Sequence, residues 1–215
     1  MKIENVIFDL DGTLLNTLDD LRDSVNHVLS EHGMPRRTLP EIRSFVGNGI
    51  PALIRRSVPE GTDEETYNIC LDEMLVYYAA HCDIKTAAYD GINALLRRLH
   101  EAGIGAAVVT NKEQTAAQTL CDAKFEGPIP LVIGGAPGRR FKPAPDGVLD
   151  AMKTLGADPA STVYVGDSDV DMRTAANAGL PAVGVLWGFR DREVLEPYCP
   201  IALAETVREL EEILI

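Results

Sequence analysis

Asp9 and Asp11 flank Leu10 and run directly into Gly12. Two acids spaced by two residues at the end of an extended run hold their side chains close together. Each resists ionisation of the other unless a cation lies between them. Gly12 lets the backbone turn sharply beside a ligand. That is the raw material of a metal site with a nucleophile in it. Three more polar groups stand out further along: Thr110-Asn111, Lys142 ahead of Pro143, and Asp167 after Gly166. Acids, neutral donors and one cation together suit phosphoryl transfer, which needs a nucleophile, charge neutralisation and oriented donors around three phosphate oxygens.

Residues so far apart in sequence need a frame that gathers them. Val6-Ile7-Phe8 reads as a strand covered on both faces, and such a strand cannot carry unpaired acids into the core. Asp9 and Asp11 therefore belong at its carboxyl end, where open α/β sheets place their ligand crevice. From residue 90 onward the pattern alternates: helix ending at Gly103, β-rich run over 104–109, helix to about 123, strand over 131–133. A helix over 145–155, a strand over 162–165, a helix to Gly179, a strand over 182–186 and a terminal helix complete it. The alternation predicts an α/β, Rossmann-like core with a mainly parallel sheet. Its strands would stop at Asp9/Asp11, Thr110/Asn111 and Asp167, along one edge. Between residues 16 and 84 the periodicity is helical throughout, with Leu18, Leu21, Val25, Val28 and Leu29 on one face of the first helix. The expected organisation is a core over 1–15 and 85–215 with an all-helical module over 16–84.

The formal net charge of −13 argues against nucleic acid or an anionic membrane surface as partner. Apolar runs are strand-sized, so no membrane span is expected. Cys70, Cys82, Cys121 and Cys199 have neither CxxC spacing nor a histidine companion at metal spacing and read as reduced thiols in small apolar roles. No secretory leader is visible, and the chain reads as cytoplasmic.

Asp9-Leu10-Asp11-Gly12-Thr13, Thr110-Asn111, Lys142-Pro143 and Gly166-Asp167-Ser168-Asp169-Val170-Asp171 come in an order that resembles the haloacid dehalogenase (HAD) superfamily of phosphatases with an α-helical cap inserted after the first motif. Val46-Gly47-Asn48-Gly49, Phe141-Lys142-Pro143-Ala144-Pro145 and Trp187-Gly188-Phe189-Arg190 look most like the phosphoglycolate phosphatase branch. Asp90-Gly91 departs from the Pro-Gly common there, at a position that shapes a turn.

The resemblance implies a Mg²⁺-dependent phosphatase of a small phosphomonoester. Asp9 would be the nucleophile, forming an aspartyl-phosphate, and Asp11 the proton donor and later the base. Asp9, the Asp11 main-chain carbonyl and Asp167 would hold the metal, and Asp171 would orient Lys142 or a metal-bound water. Thr110, Asn111 and Lys142 would bind the transferring phosphate. Asp169 is expected as a solvated acid at a helix start, Thr13 as a loop-ordering residue, and Lys112 as an exposed helix lysine. The roles of Arg55, Arg56 and Arg190 stay open. Pyrophosphate, a nucleoside monophosphate or a sugar phosphate are the competing substrates, a phosphosugar mutase included. Dehalogenation does not require Asp11 with Asp167. An imine-forming phosphonate hydrolase would want a cap lysine, and only Lys85 lies near that module. A non-catalytic phosphate-binding module is the reading from another class.

Overall fold

A computed structural model describes residues 2–127 and 131–215. The chain divides into two compact units, Met1–Leu15 with Ala88–Ile215, and Asn16–Ala87. In chain order the elements are β1 (Asn5–Phe8), β2 (Leu15–Asn16), α1 (Leu18–Glu31), α2 (Leu39–Phe45), α3 (Gly49–Ser57), α4 (Glu64–His81) and β3 (Ala87–Ala88). There follow α5 (Ile92–Glu101), β4 (Gly105–Glu113), α6 (Gln114–Lys124), β5 (Val132–Gly135), α7 (Asp146–Leu155) and β6 (Thr162–Gly166). The chain ends with α8 (Asp169–Ala178), β7 (Ala182–Val185), α9 (Arg192–Leu195), β8 (Ala202–Ala204) and α10 (Val207–Leu214).

The larger unit is built on a sheet ordered β5-β4-β1-β6-β7-β8, with every recorded pairing parallel. β1 sits centrally, and Val6, Ile7 and Phe8 are completely buried. Each such side chain contributes about 1.5–3 kcal/mol through burial. Because β4 and β6 flank β1 on opposite sides, successive crossovers diverge there, and the carboxyl ends of all three strands open onto one edge. Ile7, Val109, Ile133, Val148, Tyr164 and Met172 belong to one core cluster that locks helices to the sheet.

The short strands β2 and β3 and the helix α9 were not expected, and β4 and β8 also differ from the sequence expectation. β4 does not stop at Val109 but runs to Glu113, and its pairing with β5 slips register between Val109 and Glu113. An irregularity of this kind inserts extra residues on one strand and re-aims their side chains. Thr110, Asn111 and Lys112 are thus strand residues, and α6 begins only where the Glu113 carboxylate accepts the Ala116 amide. β8 has no β-branched residue to announce it; it exists because β7 offers it a parallel partner.

The smaller unit is all helical apart from the strand residues Asn16 and Ala87 at its two ends. Thr38 and Glu41 form a reciprocal capping box at the start of α2. Buried Asp20 accepts the main-chain amides of Lys85 and Thr86 and the Thr86 hydroxyl, all between 2.8 and 3.0 Å. Those bonds tie residues 85–87 to α1, which is why this unit extends to Ala87.

Candidate active site

Asp9 follows β1 directly, with its amide bonded to the Val165 carbonyl of β6. Its carboxylate accepts Lys142 Nζ at 2.7 Å. Lys142 lies far along the chain, on the loop between β5 and α7, and precedes a cis peptide bond to Pro143. The Asn111 side chain holds that loop in place: its oxygen accepts the Lys142 amide at 2.7 Å and its amide donates to the Lys142 carbonyl at 3.2 Å. Asn111 therefore grips the lysine's backbone. Thr110, its buried neighbour, accepts the Lys112 amide on its hydroxyl oxygen at 3.2 Å.

Lys142 Nζ also donates to Asp171 at 2.7 Å and to the Tyr164 hydroxyl at 3.0 Å. Tyr164 in turn donates to the same Asp171 oxygen at 3.0 Å. The other Asp171 oxygen accepts the Ser168 amide at 3.0 Å and the Ser168 hydroxyl at 2.6 Å, in the capping box that starts α8. Helix initiation and lysine positioning thus share one carboxylate. A carboxylate has about four acceptor sites, and these four donors fill them.

Asp167 directly follows β6 and is held from the opposite side. Thr13 donates to one of its oxygens at 3.2 Å and the Phe189 amide to the other at 2.6 Å. The Trp187 indole donates to the Thr13 carbonyl at 3.0 Å, completing the brace. Gly12, at φ 91°, and Gly188 both lie so close that a Cβ on either would collide with the Asp167 carboxylate. Only glycine fits at these two points.

One carboxylate oxygen from each of Asp9, Asp167 and Asp171 lies within 4.8 Å of the other two. The electrostatic consequence is strain on the acids. Burial first, then Asp171, push Asp9 well above the usual carboxylate range, against the pull of Lys142. Burial and Asp171 push Asp167 up to about 7. Burial alone would pull Lys142 down, but Asp171 and Asp9 more than offset it and hold the lysine charged. Fully ionised, Asp9, Asp11, Asp167 and Asp171 would carry two more negative charges than Lys112 and Lys142 balance. A hard divalent cation matches both that excess and the all-oxygen donor set. Asp9 and Asp167 keep acceptor capacity for it; Asp171 has none to spare.

Several residues fall elsewhere than the sequence suggests. Lys112 is not an exposed helix lysine: it is buried on β4, with Nζ 3.0 and 3.2 Å from the two oxygens of Asp11. Asp169, by contrast, lies at a helix start as expected: it opens α8 and pairs with Arg173 at 2.8 Å, while Arg190 Nε stands 3.9 Å from it. Cys70, Cys82 and Cys121 are buried free thiols, but Cys199 is exposed. Sequence reasoning missed Tyr164 and Ser168. The run Val163-Tyr164-Val165 carried the available signal, since a tyrosine inside a buried strand requires a partner for its hydroxyl.

The family model for haloacid dehalogenase-like hydrolases matches residues 6–185. Among curated relatives, the phosphoglycolate phosphatase of Pseudomonas putida is 32% identical over 210 residues, spanning 95% of this chain and 77% of its own. That of Xanthomonas campestris pv. campestris is 35% identical over 186 residues, spanning 86% and 84%. Among solved structures, a Lactobacillus delbrueckii subsp. bulgaricus protein put forward as a phosphoglycolate phosphatase superposes with a TM-score of 0.94 at 32% identity, covering 100% of this chain and 99% of that one. Among the described residues no helix is long and apolar enough to cross a membrane.

Proposed function

The chain belongs to the haloacid dehalogenase-like hydrolase family, and from that premise we propose that it is a Mg²⁺-dependent phosphatase of a small phosphomonoester, 2-phosphoglycolate first among candidates. The observation that carries this reading is the meeting of Asp9, Lys142 and Asp167 at the carboxyl ends of β1 and β6, across more than 150 positions of sequence. Phosphoglycolate comes from the names of the relatives at 32% and 35% identity.

Asp9 is the nucleophile. Lys142 binds one of its oxygens; the other carries no hydrogen bond among the described residues and is the one to bond phosphorus as the ester P–O bond breaks. Asp11 supplies the proton that the departing alkoxide takes, then accepts one from the water that cleaves the Asp9–O–P bond and restores the carboxylate. Lys142 and Thr110 meet the charge on the transferring phosphoryl oxygens, and Asn111 serves by fixing the Lys142 backbone. Mg²⁺ held by Asp9, Asp167 and the Asp11 main-chain carbonyl would neutralise phosphate charge. Asp171 acts by orienting Lys142. The all-helical unit is the cap that selects the substrate. A cytoplasmic setting belongs to the same proposal.

The test is phosphate release from a panel of phosphomonoesters, with 2-phosphoglycolate, a nucleoside monophosphate and a sugar phosphate in parallel. Turnover should require Mg²⁺ and disappear in EDTA. Full activity in EDTA, or no release from any ester, sinks the proposal.

A further inference from the structure

Asp11 has a partner that the proposed chemistry does not assign. Lys112 Nζ lies 3.0 Å from one oxygen of Asp11 and 3.2 Å from the other, and the lysine side chain is only 4% exposed. Two features of the backbone aim it there. β1 and β4 are neighbours in register, Phe8 against Val108, so the segments that continue past these residues emerge side by side. The register slip between Val109 and Glu113 spans Lys112 itself, and the Thr110 hydroxyl oxygen accepts the Lys112 amide within it. A regular strand would have kept alternating its side chains across the sheet; the irregularity turns this one toward the edge where Asp11 sits.

We infer that Lys112 is a positioning residue that fixes the plane of the Asp11 carboxylate for its proton transfers. The inference rests on the phosphatase reading above. One ammonium bonded to both oxygens stops rotation of the carboxylate while leaving an acceptor site on each oxygen. In this role Lys112 works through Asp11. Loss of orientation in an acid–base group is felt in the rate of the bond-making step more than in ground-state binding.

The experiment compares wild type, Lys112→Met, Lys112→Arg, Asp11→Asn and the Lys112→Met/Asp11→Asn double variant, using the best ester from the panel. Lys112→Met keeps the stem and removes the charge. It should lower kcat by about 10–100-fold with KM within about threefold, the cost expected of a misplaced acid–base group. Lys112→Arg, able to span both oxygens, should recover most of that loss. In the Asp11→Asn background Lys112→Met should lower residual turnover no further, because its effect passes through Asp11. Thermal melts of every variant separate folding from function. If Lys112→Met melts earlier yet keeps wild-type kcat, or if its effect multiplies with that of Asp11→Asn, the inference is overturned. Should Lys112→Met fail to fold, failure of Lys112→Arg to retain at least a third of wild-type kcat overturns it instead. Wild-type protein that releases phosphate from nothing tells against the phosphatase reading itself, independently of Lys112.

Discussion

Asp171 and Asp9 share one lysine and live in opposite circumstances. Asp171 takes four donors from Lys142, Tyr164 and Ser168 and begins a helix besides. Asp9 takes one side-chain donor, from Lys142, and is pushed up by burial and by Asp171. The first environment is complete without a ligand; the second is under-coordinated and over-negative. The difference teaches which acid holds the scaffold and which one is left open to a ligand. A saturated carboxylate has no lone pair to offer phosphorus or a cation, whereas an unsatisfied buried one is stable only when something positive reaches it.

Breaking the reactive side should cost chemistry alone. Asp9→Asn should cut phosphate release by at least about 10³-fold, as loss of a covalent nucleophile does. It replaces a strained acid with a neutral isostere, so the melting temperature of the metal-free protein at pH 8 should hold or rise. Breaking the scaffold side should cost stability instead. Asp171→Ala strands donors from Lys142, Tyr164 and Ser168 and removes half of a capping box, for about 3–5 kcal/mol. At roughly 2–4 °C per kcal/mol for a chain of this size, its melt should move down by about 6–20 °C. Equal melts for the two variants would erase the distinction.

Proton linkage sharpens the same contrast. Asp167 is raised from the ordinary carboxylate value of 3.8 to about 7, so the folded chain binds its proton more tightly than the unfolded one. The stability this contributes is present in full below pH 4 and is lost as pH rises to about 7, up to about 4 kcal/mol in metal-free protein. Urea titrations in EDTA at pH 5 and pH 8 should therefore show wild type losing more stability over that interval than Asp167→Asn. Millimolar Mg²⁺ at pH 8 should restore wild type and leave the variant unchanged. A wild-type stability that does not fall between those pH values relative to the variant would mean that Asp167 is not a strained acid awaiting a cation.

How much of this was written in the sequence depends on the kind of residue. Asp9, Asp11 and Asp167 were legible because strand periodicity and chemical type coincide at the ends of β-rich runs, and Lys142 stood out as a cation ahead of Pro143. The parallel core was legible from the alternation of periods, and the helical unit from heptad-like spacing. What stayed hidden depended on pairing between distant elements. Nothing local in Thr110-Asn111-Lys112 says that β5 will draw the strand on to Glu113 and slip its register, so Lys112 read as a helix residue. Nothing local in Asn111 says that its amide will clasp a loop 31 residues away. β8 appears only because β7 has a free edge in the right place. The Ser168–Asp171 capping box went unread, whereas the link between Asp171 and Lys142 was expected from the family resemblance and not from local pattern.

The smallest effect expected is also the finest probe of the scaffold side. Tyr164→Phe keeps the ring in the core and deletes the hydroxyl that accepts from Lys142 and donates to Asp171. Both ions retain one another at 2.7 Å, and each retains a further partner, Asp9 or Ser168. No charge is orphaned, so the loss is that of hydrogen bonds to charged groups in a dry site, about 1–2 kcal/mol. Turnover should fall less than about tenfold, because Lys142 keeps both of its carboxylates. If Tyr164→Phe instead costs as much as Asp171→Ala, the anchor of the lysine is the tyrosine, and the saturated acid is secondary to it.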